Sequence, residues 1–372
     1  NVELTALKAI EDYQNEFRFH FPNEHRPAGR MAKTTALTPV LAAEGAEFAV
    51  VNGWERAEFF KPTAQFEVTH GFHFDESFPL VAQEVAAVQN AVGLCEVNGF
   101  NRFEITGTDA RPFLDRMFCG RVTARAGRVG LGYLLNHHGM LKGEATVANI
   151  PASDRGPDRI WYGSAAASEF HDMDWLQRHI GADEDVQITS LTNDQTILVL
   201  AGPNASLYAA YLALRDAGQA HGLRLFGAHA VESMRLEKGY LHWKAEILTE
   251  FDPFETGLSR FVDMAKPDFV GKNALEKRVV DGPSKRLVTL HLSDDGAPAH
   301  GGASLMRDGA VVGTVTSGGF GHRVQKNLAY AFVDADLAQV GAAFDIDHLG
   351  QMVPAVIVDP AQYDPQMAHV RG

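Results

Sequence analysis

Cysteine is scarce in this sequence of 372 residues, which contains only Cys95 and Cys119. Two cysteines without CxxC spacing can build neither a disulfide framework nor a thiolate zinc site within the chain. This scarcity favours a reducing compartment. We therefore expect the cytoplasm, or the mitochondrial matrix if the source is eukaryotic.

Positive charge and long apolar runs are also limited. The chain has 33 Lys and Arg against 47 Asp and Glu, which gives a formal net charge of −14. It therefore has no overall positive electrostatic field that would attract nucleic acid or anionic lipid. No apolar run approaches the roughly 18 residues of a spanning helix. Residues 1–4 lack the basic start and apolar core of a signal peptide. We expect neither nucleic acid nor a membrane as a partner.

Several common site motifs are missing. The sequence has no GxGxxG, GxxxxGK[ST], HExxH or GxSxG, so dinucleotide-binding, P-loop, zincin and nucleophile-elbow sites have no support. The closest pairs among its 16 histidines are His70 with His73 and His137 with His138, and no acid or cysteine accompanies them at ligand spacing. We predict no metal site, and we expect Cys119 to act as a small hydrophobe.

Hydrophobic periodicity predicts an α+β fold. A helix that ends at Gly93 is predicted by β-branched residues at spacings of 4, 3 and 4, namely Val81, Val85, Val88 and Val92. Alternation predicts a strand at 101–107, and Thr108 is a plausible N-cap for the helix that follows. Further strands are predicted near 145–150, 159–163 and 196–201, and further helices at 168–180, 207–217 and 230–238.

The chain divides into three segments. Residues 1–62 have too little periodic apolar content for a domain and form a lead-in. Residues 63–283 carry the mixed pattern of helices and strands. Residues 284–372 show short strands between Gly and Asp turns, which predicts a small β-barrel or sandwich.

Glu144 is the first candidate for chemistry. A glycine-containing turn leads into the strand on which this lone carboxylate lies. Spacing alone favours a solvated acid at a strand end. The alternative is a carboxylate on a rigid element beside a cavity, able to stabilise a cation or take a proton from an amine.

Arg235 is the second candidate. It could pair with Glu232 three residues earlier on an exposed helix face. It could instead clamp a ligand carboxylate while Tyr240 and Trp243 stack on a flat ring. Periodicity does not choose between these two interpretations.

Taken together and in this order, these segments resemble the aminomethyltransferase family of the glycine-cleavage T-protein, specifically the folate-binding C-terminal half of dimethylglycine and sarcosine dehydrogenases. The matching stretches are 103–110, 136–147, 200–203, 233–240, 252–258, 268–272 and 313–321. Residues 17–60, with Pro27-Ala28-Gly29-Arg30 and Gly53-Trp54-Glu55-Arg56, resemble the joint that follows the flavin domain in those dehydrogenases.

The resemblance implies a three-lobed fold around a tetrahydrofolate pocket, with residues 63–283 as the folate-binding domain and a C-terminal β-barrel. It implies one-carbon transfer from an N-methylated amine, forming methylene-tetrahydrofolate. Glu144 would be catalytic, and Arg235 would engage the glutamyl end of the folate. The remaining cofactor-binding positions would be Tyr240, Tyr133, Asn136 and Trp243. FAD would enter only through a flavoprotein partner or a missing N-terminal domain.

The sequence departs from the family after Ala205. There the family has several dozen further residues, including a Tyr-x-Gly-Glu hairpin that reads the pterin ring, whereas here residues 200–204 run directly into Ser206. Two alternatives therefore stay open. One is a flavin-independent, folate-dependent demethylase of a methylated sulfonium or amine, and the other is a non-catalytic subunit that retains the fold.

Overall fold

The computed structural model describes residues 2–152, 158–203, 205, 223–294 and 296–368. The helix predicted at 207–217 lies outside this part of the chain. The α-helices of the described residues are α1 Val2–Gln14, α2 Thr38–Ala43, α3 Phe78–Asn90, α4 Ala110–Met117, α5 Glu169–Arg178, α6 Ala228–Lys238 and α7 Lys272–Asp281. Every helix in these ranges is too short or too polar to span a membrane.

The strands form a hairpin, two open sheets and a barrel. The strands before the barrel are β1 Ala46–Val51, β2 Trp54–Phe60, β3 Val92–Glu96, β4 Asn101–Thr106, β5 Val129–Leu135, β6 Leu141–Ile150, β7 Arg159–Ser164, β8 Gln187–Ser190, β9 Leu198–Ala201 and β10 Leu223–Leu225. The barrel strands are β11 Lys285–Leu292, β12 Ser304–Arg307, β13 Ala310–Gly321, β14 Lys326–Asp334, β15 Ala343–His348 and β16 Gln351–Val358.

The largest open sheet has the antiparallel order β5-β6-β7-β4-β8. Burial alternates along the whole of β6, as expected for a strand with one face on a core. Helix α4 covers that core with Phe113, Leu114 and Met117, all fully buried. The Thr108 N-cap prediction is wrong, because the helix begins at Ala110 and the Thr108 hydroxyl instead donates to Asp185 Oδ2 at 3.2 Å.

A smaller sheet of order β10-β3-β9 lies beside α3. The prediction that α3 runs to Gly93 is wrong, since α3 ends at Asn90 and Val92 begins β3. The spacing of Val92 from Val88 fits a helix only by coincidence. Gly93 is required for close packing, because a Cβ there would lie 2.6 Å from the ring of Phe226.

The C-terminal strands close into a barrel of order β11-β14-β13-β12-β15-β16. Alternate residues of β11, namely Val288, Leu290 and Leu292, point into its core, in keeping with a period of two. Of the barrel and sandwich left open by the sequence, the structure has the barrel.

Helix α6 lies where the lobes meet. It contacts α3 and β2 on the N-terminal side and β13 and β14 of the barrel. It ends as predicted at Gly239, whose φ of 74° gives the left-handed C-cap that glycine adopts at low cost. Helix α6 therefore connects the N-terminal elements to the barrel.

Within the lead-in, an ion pair between Arg30 and Glu55 joins the segment before the β1–β2 hairpin to the hairpin itself. The two residues belong to the two joint-like motifs. Arg30 Nε and Nη2 donate to the Glu55 carboxylate at 2.8–3.1 Å, and Nη2 also donates to the Phe48 carbonyl at 2.7 Å. Burial alone would raise the pKa of Glu55, but hydrogen bonds from Arg30 and from the Met31 N–H hold it below its usual range.

We expect Arg30→Met to lower the free energy of unfolding by about 3 kcal/mol, because it leaves the buried Glu55 carboxylate without its counter-charge. Urea denaturation measures the effect, and Arg125→Met at an exposed arginine is the control. Since the folded-state pKa of Glu55 is lowered, its contribution is present at neutral pH and is lost as pH falls. If the difference in free energy of unfolding between the wild type and Arg30→Met stayed constant down to acid pH, this role of the Arg30–Glu55 pair would be contradicted.

Candidate functional site

Glu144 and Tyr133 lie directly opposite each other on the paired strands β6 and β5, so their side chains share one face of the sheet. The Tyr133 hydroxyl donates to Glu144 Oε2 at 2.7 Å. Tyr133 is 3% exposed, which leaves its hydroxyl few other partners. The bulged register beyond Leu134 begins the turn that leads into β6. The sheet therefore fixes a carboxyl group on a rigid element.

Burial tunes both groups of this pair. It raises the pKa of Glu144, which the hydrogen bond from Tyr133 only partly offsets. Burial, with the Glu144 carboxylate beside it, raises the pKa of Tyr133 well above its ordinary value. Tyr133 thus stays a hydrogen-bond donor, and Glu144 is a better proton acceptor than an exposed glutamate.

An apolar cluster with aromatic members surrounds Tyr133. The Phe261 ring centroid lies 5.0 Å from that of Tyr133. Trp243 and Leu241, from the loop after α6, pack against the same cluster. Lys244 Nζ lies 4.8 Å from the centroid of the Trp243 ring, so one face of that indole is occupied by a cation.

Arg235 makes the local pair that its sequence position suggested, and it also makes longer-range bonds. Its Nε donates to Glu232 Oε2 at 2.6 Å, and its Nη1 donates to the Tyr240 carbonyl at 3.2 Å. Nη1 also lies 3.5 Å from Glu246 Oε2. The side chain is only 10% exposed. Arg235 is therefore not the exposed i−3 partner of the simpler interpretation, yet two acids already share its charge.

Glu246 has a central place that sequence reasoning missed. Its side chain is fully buried, and Oε1 accepts hydrogen bonds from the hydroxyls of Thr316 at 2.7 Å and Ser317 at 2.5 Å on β13. Oε2 accepts the His242 N–H at 2.8 Å. An acid in a loop gives no sequence signal for partners that lie 70 residues away.

The remaining candidates lie apart from the Glu144 pair. Tyr240 is 45% exposed, and its hydroxyl faces Met367 Sδ at 3.8 Å. Asn136 closes the β5–β6 turn, where its Oδ1 accepts the N–H groups of His138 and Met140. The structure thus brings together Glu144, Tyr133 and Trp243, places Arg235 with Tyr240 at the end of α6, and leaves Asn136 in a turn.

No group of three or more His, Cys, Asp or Glu side chains within the described ranges could hold a metal ion. Burial raises the pKa of the Cys119 thiol to about 12, so this group is a poor nucleophile.

Two family models match the chain. The model of the GCVT N-terminal domain matches residues 37–208 and 205–266, and that of the glycine cleavage T-protein C-terminal barrel domain matches residues 285–364. The two N-terminal matches meet where the sequence predicts a missing hairpin. Because residues 206–222 lie outside the described part of the chain, the loss of that hairpin stays a prediction.

Two similar proteins of known name, a dimethylglycine dehydrogenase and an aminomethyltransferase, agree with the family that these models indicate. Mitochondrial dimethylglycine dehydrogenase of Rattus norvegicus is 28% identical over 96% of this chain and 47% of its own length. Aminomethyltransferase of Geobacillus thermodenitrificans is 25% identical over 90% of this chain and 99% of its own. The chain spans about half the length of the dimethylglycine dehydrogenase.

A solved structure confirms the expected fold. The glycine cleavage system aminomethyltransferase T from Bartonella henselae has a TM-score of 0.76 to this chain, with 20% sequence identity over 90% of this chain and 98% of that one. The α+β, three-lobed aminomethyltransferase fold with a C-terminal barrel is therefore the fold of this protein.

We expect Tyr133→Phe to raise the pKa of Glu144 further, because the substitution removes the hydrogen bond that favours the ionised carboxylate. Carbon-13 NMR of protein labelled at the glutamate carboxyl carbons measures the titration, and loss of the resonance in Glu144→Gln assigns it. Tyr13→Phe, at a tyrosine 79% exposed, is the matched control. A Glu144 titration unchanged by Tyr133→Phe would contradict the geometry.

Proposed function

Because the chain belongs to the glycine-cleavage T-protein family of aminomethyltransferases, we propose that it transfers a one-carbon unit from an N-methylated amine to tetrahydrofolate, forming methylene-tetrahydrofolate. The observation that carries this proposal is the buried Glu144 carboxyl held by Tyr133. The substrate class is suggested by the name of the dimethylglycine dehydrogenase relative.

The residues around Glu144 fit a flat, nitrogen-rich cofactor. The Tyr133 hydroxyl donates to Glu144 Oε2, whereas Oε1 receives no hydrogen bond from the described residues. That oxygen can accept a ligand N–H or, when protonated, donate to a ring nitrogen. Phe261 and Trp243 offer apolar ring surface beside the pair.

Tetrahydrofolate, when bound, supplies the nitrogen nucleophiles that receive the one-carbon unit. Glu144 would stabilise the positive charge of the iminium-like donor. At Oε1 it would accept the proton that a folate nitrogen loses on bonding to the one-carbon unit and would pass it to the departing amine. Tyr133 holds Oε2 and keeps the carboxylate in one orientation without itself ionising. A positioned base of this kind contributes about 10²–10⁴-fold to a rate.

Arg235 is the proposed contact for the glutamyl end of the folate. Its Nη2 has no hydrogen-bond partner among the described residues, whereas Nε and Nη1 are engaged. Because Glu232 and Glu246 share its charge, we expect Arg235 to recognise the tail by a directed hydrogen bond and not by a surplus of positive charge.

The amine must be oxidised before its carbon can be transferred as a methylene unit. We assign that step to FAD on a flavoprotein partner or on a domain outside this sequence, since the named relative is a dehydrogenase about twice as long. A cytoplasmic or mitochondrial-matrix location belongs to the same proposal, because that relative is mitochondrial.

We expect Glu144→Gln to reduce methylene transfer by about 10²–10⁴-fold while changing the dissociation constant for tetrahydrofolate only a few-fold. Transfer is followed as formation of methylene-tetrahydrofolate from methylamine and formaldehyde above the uncatalysed rate, and binding is followed by titration calorimetry. Glu250→Gln, at an exposed glutamate, is the control. Absence of tetrahydrofolate binding to the wild-type chain would refute the proposed function and favour the non-catalytic alternative.

For Arg235, we expect Arg235→Lys to weaken tetrahydrofolate binding about tenfold, since lysine lacks the guanidinium's fork of donors. Lysine retains the positive charge next to the buried Glu246, so the fold is preserved. Binding of tetrahydropterin, which lacks the glutamyl tail, should be unchanged. An equal loss of affinity for both compounds would place Arg235 outside the tail-binding site.

A further inference from the structure

A cavity of about 310 Å³ lies between the start of α3, helix α6 and the end of β13. We propose that this cavity binds an N-alkylated ammonium cation. The ligand's identity as the methylated amine rests on the proposed function, but the chemistry of the site is read from its own walls. The volume is at the lower end of ligand sites and suits a small amine.

Aromatic rings from separate parts of the chain line the cavity. The Phe78 centroid lies 4.7 Å from that of Phe74 and 5.2 Å from that of Phe320. Phe72 adds a further ring, 5.4 Å from His300. No lysine or arginine in the described part of the chain lies over these four phenylalanines. Their electron-rich faces are therefore not engaged by a cation of the protein itself.

The charged groups of the cavity are predominantly acidic. Asp75 and Glu232 both line it, and no lysine or arginine does. The Asp75 Oδ1 atom accepts hydrogen bonds from the N–H and hydroxyl of Ser77, and no described cation forms an ion pair with it. Glu232 is paired with Arg235, outside the lining. The electrostatic potential inside the cavity is therefore negative and favours a cationic ligand.

Three of the four histidines of the lining, namely His229, His300 and His322, do not reverse this balance. Burial lowers the pKa of His322 to about 4 and lowers that of His300, so both rings are neutral at pH 7. Burial also disfavours the charged form of His229, but Glu58, whose carboxylate lies 3.5 Å away, raises its pKa. The His229 charge is thus matched by Glu58, whose Oε1 also lies 3.0 Å from His25 Nε2.

The aromatic rings and the acidic groups of the lining together restrict the class of ligand that the cavity can bind. Anions are disfavoured by Asp75 and Glu232, and a bare metal ion lacks a set of three ligating groups among the described residues. An alkylated ammonium group suits both features, because its carbon atoms contact rings and its charge is attracted by their faces and by carboxylates. Glu232 also links the cavity to Arg235, so the two proposed sites share one side chain.

The test uses choline as probe and 3,3-dimethyl-1-butanol as its neutral isostere, titrated into the full chain by calorimetry without folate. We expect saturable binding of choline and at least tenfold weaker binding of the isostere. Phe320→Leu, which keeps an apolar side chain but removes the ring, and Asp75→Asn should each weaken choline binding about tenfold. Asp336→Asn at an exposed position is the control, and thermal unfolding verifies that each variant is folded.

Three results would overturn the inference: no saturable choline binding, equal binding of the neutral isostere, or choline binding unaffected by both variants. Because folate is absent from this titration, these results leave the tetrahydrofolate measurement unaffected. Conversely, loss of folate binding with intact choline binding would refute the proposed function and leave the cation site standing.

Discussion

The buried carboxylate of Glu246 is the interaction on which the arrangement of the site depends. It joins the loop after α6 to the barrel through Thr316 and Ser317, and it takes part of the charge of Arg235. A fully buried acid is costly unless its hydrogen bonds are satisfied, so these partners fix the loop closely. The same loop brings Trp243 and Leu241 against the cluster that contains Tyr133. The aromatic surroundings of Glu144 are thus held in place from the barrel side.

Helix α6 presents different chemistry on two of its sides. Arg235 faces Glu246 and the ring of Tyr330, whereas His229, Glu232 and Ser233 line the proposed ammonium cavity. A three-residue step along a helix places Glu232 next to Arg235, which explains how one helix can serve both sites. Helix α6 therefore lines the proposed ammonium cavity, and the loop that follows it packs against the cluster that contains Tyr133.

Local sequence signals predicted much of the fold. Gly239 ends α6 as expected, the strand predicted near 145–150 is part of β6, and the short strands predicted after Pro283 form the barrel. Val92 was misassigned because a spacing of four residues fits both a helix face and a strand that happens to follow it. Thr108 was misassigned because Asp185, distant in sequence, competes for its hydroxyl. Glu246 was missed for the same reason, since its partners are visible only in three dimensions.

Burial raises the pKa of Glu144, and we propose that its carboxylate accepts the proton released in methylene transfer. The pH dependence of the methylene-transfer rate tests this proposal. The rate should rise with pH through one ionisation above the ordinary range of glutamate, because the ionised carboxylate is the acceptor. This rise in rate should occur at higher pH in Tyr133→Phe and should be absent in Glu144→Gln. A rising limb that persists unchanged in Glu144→Gln would show that another group accepts the proton.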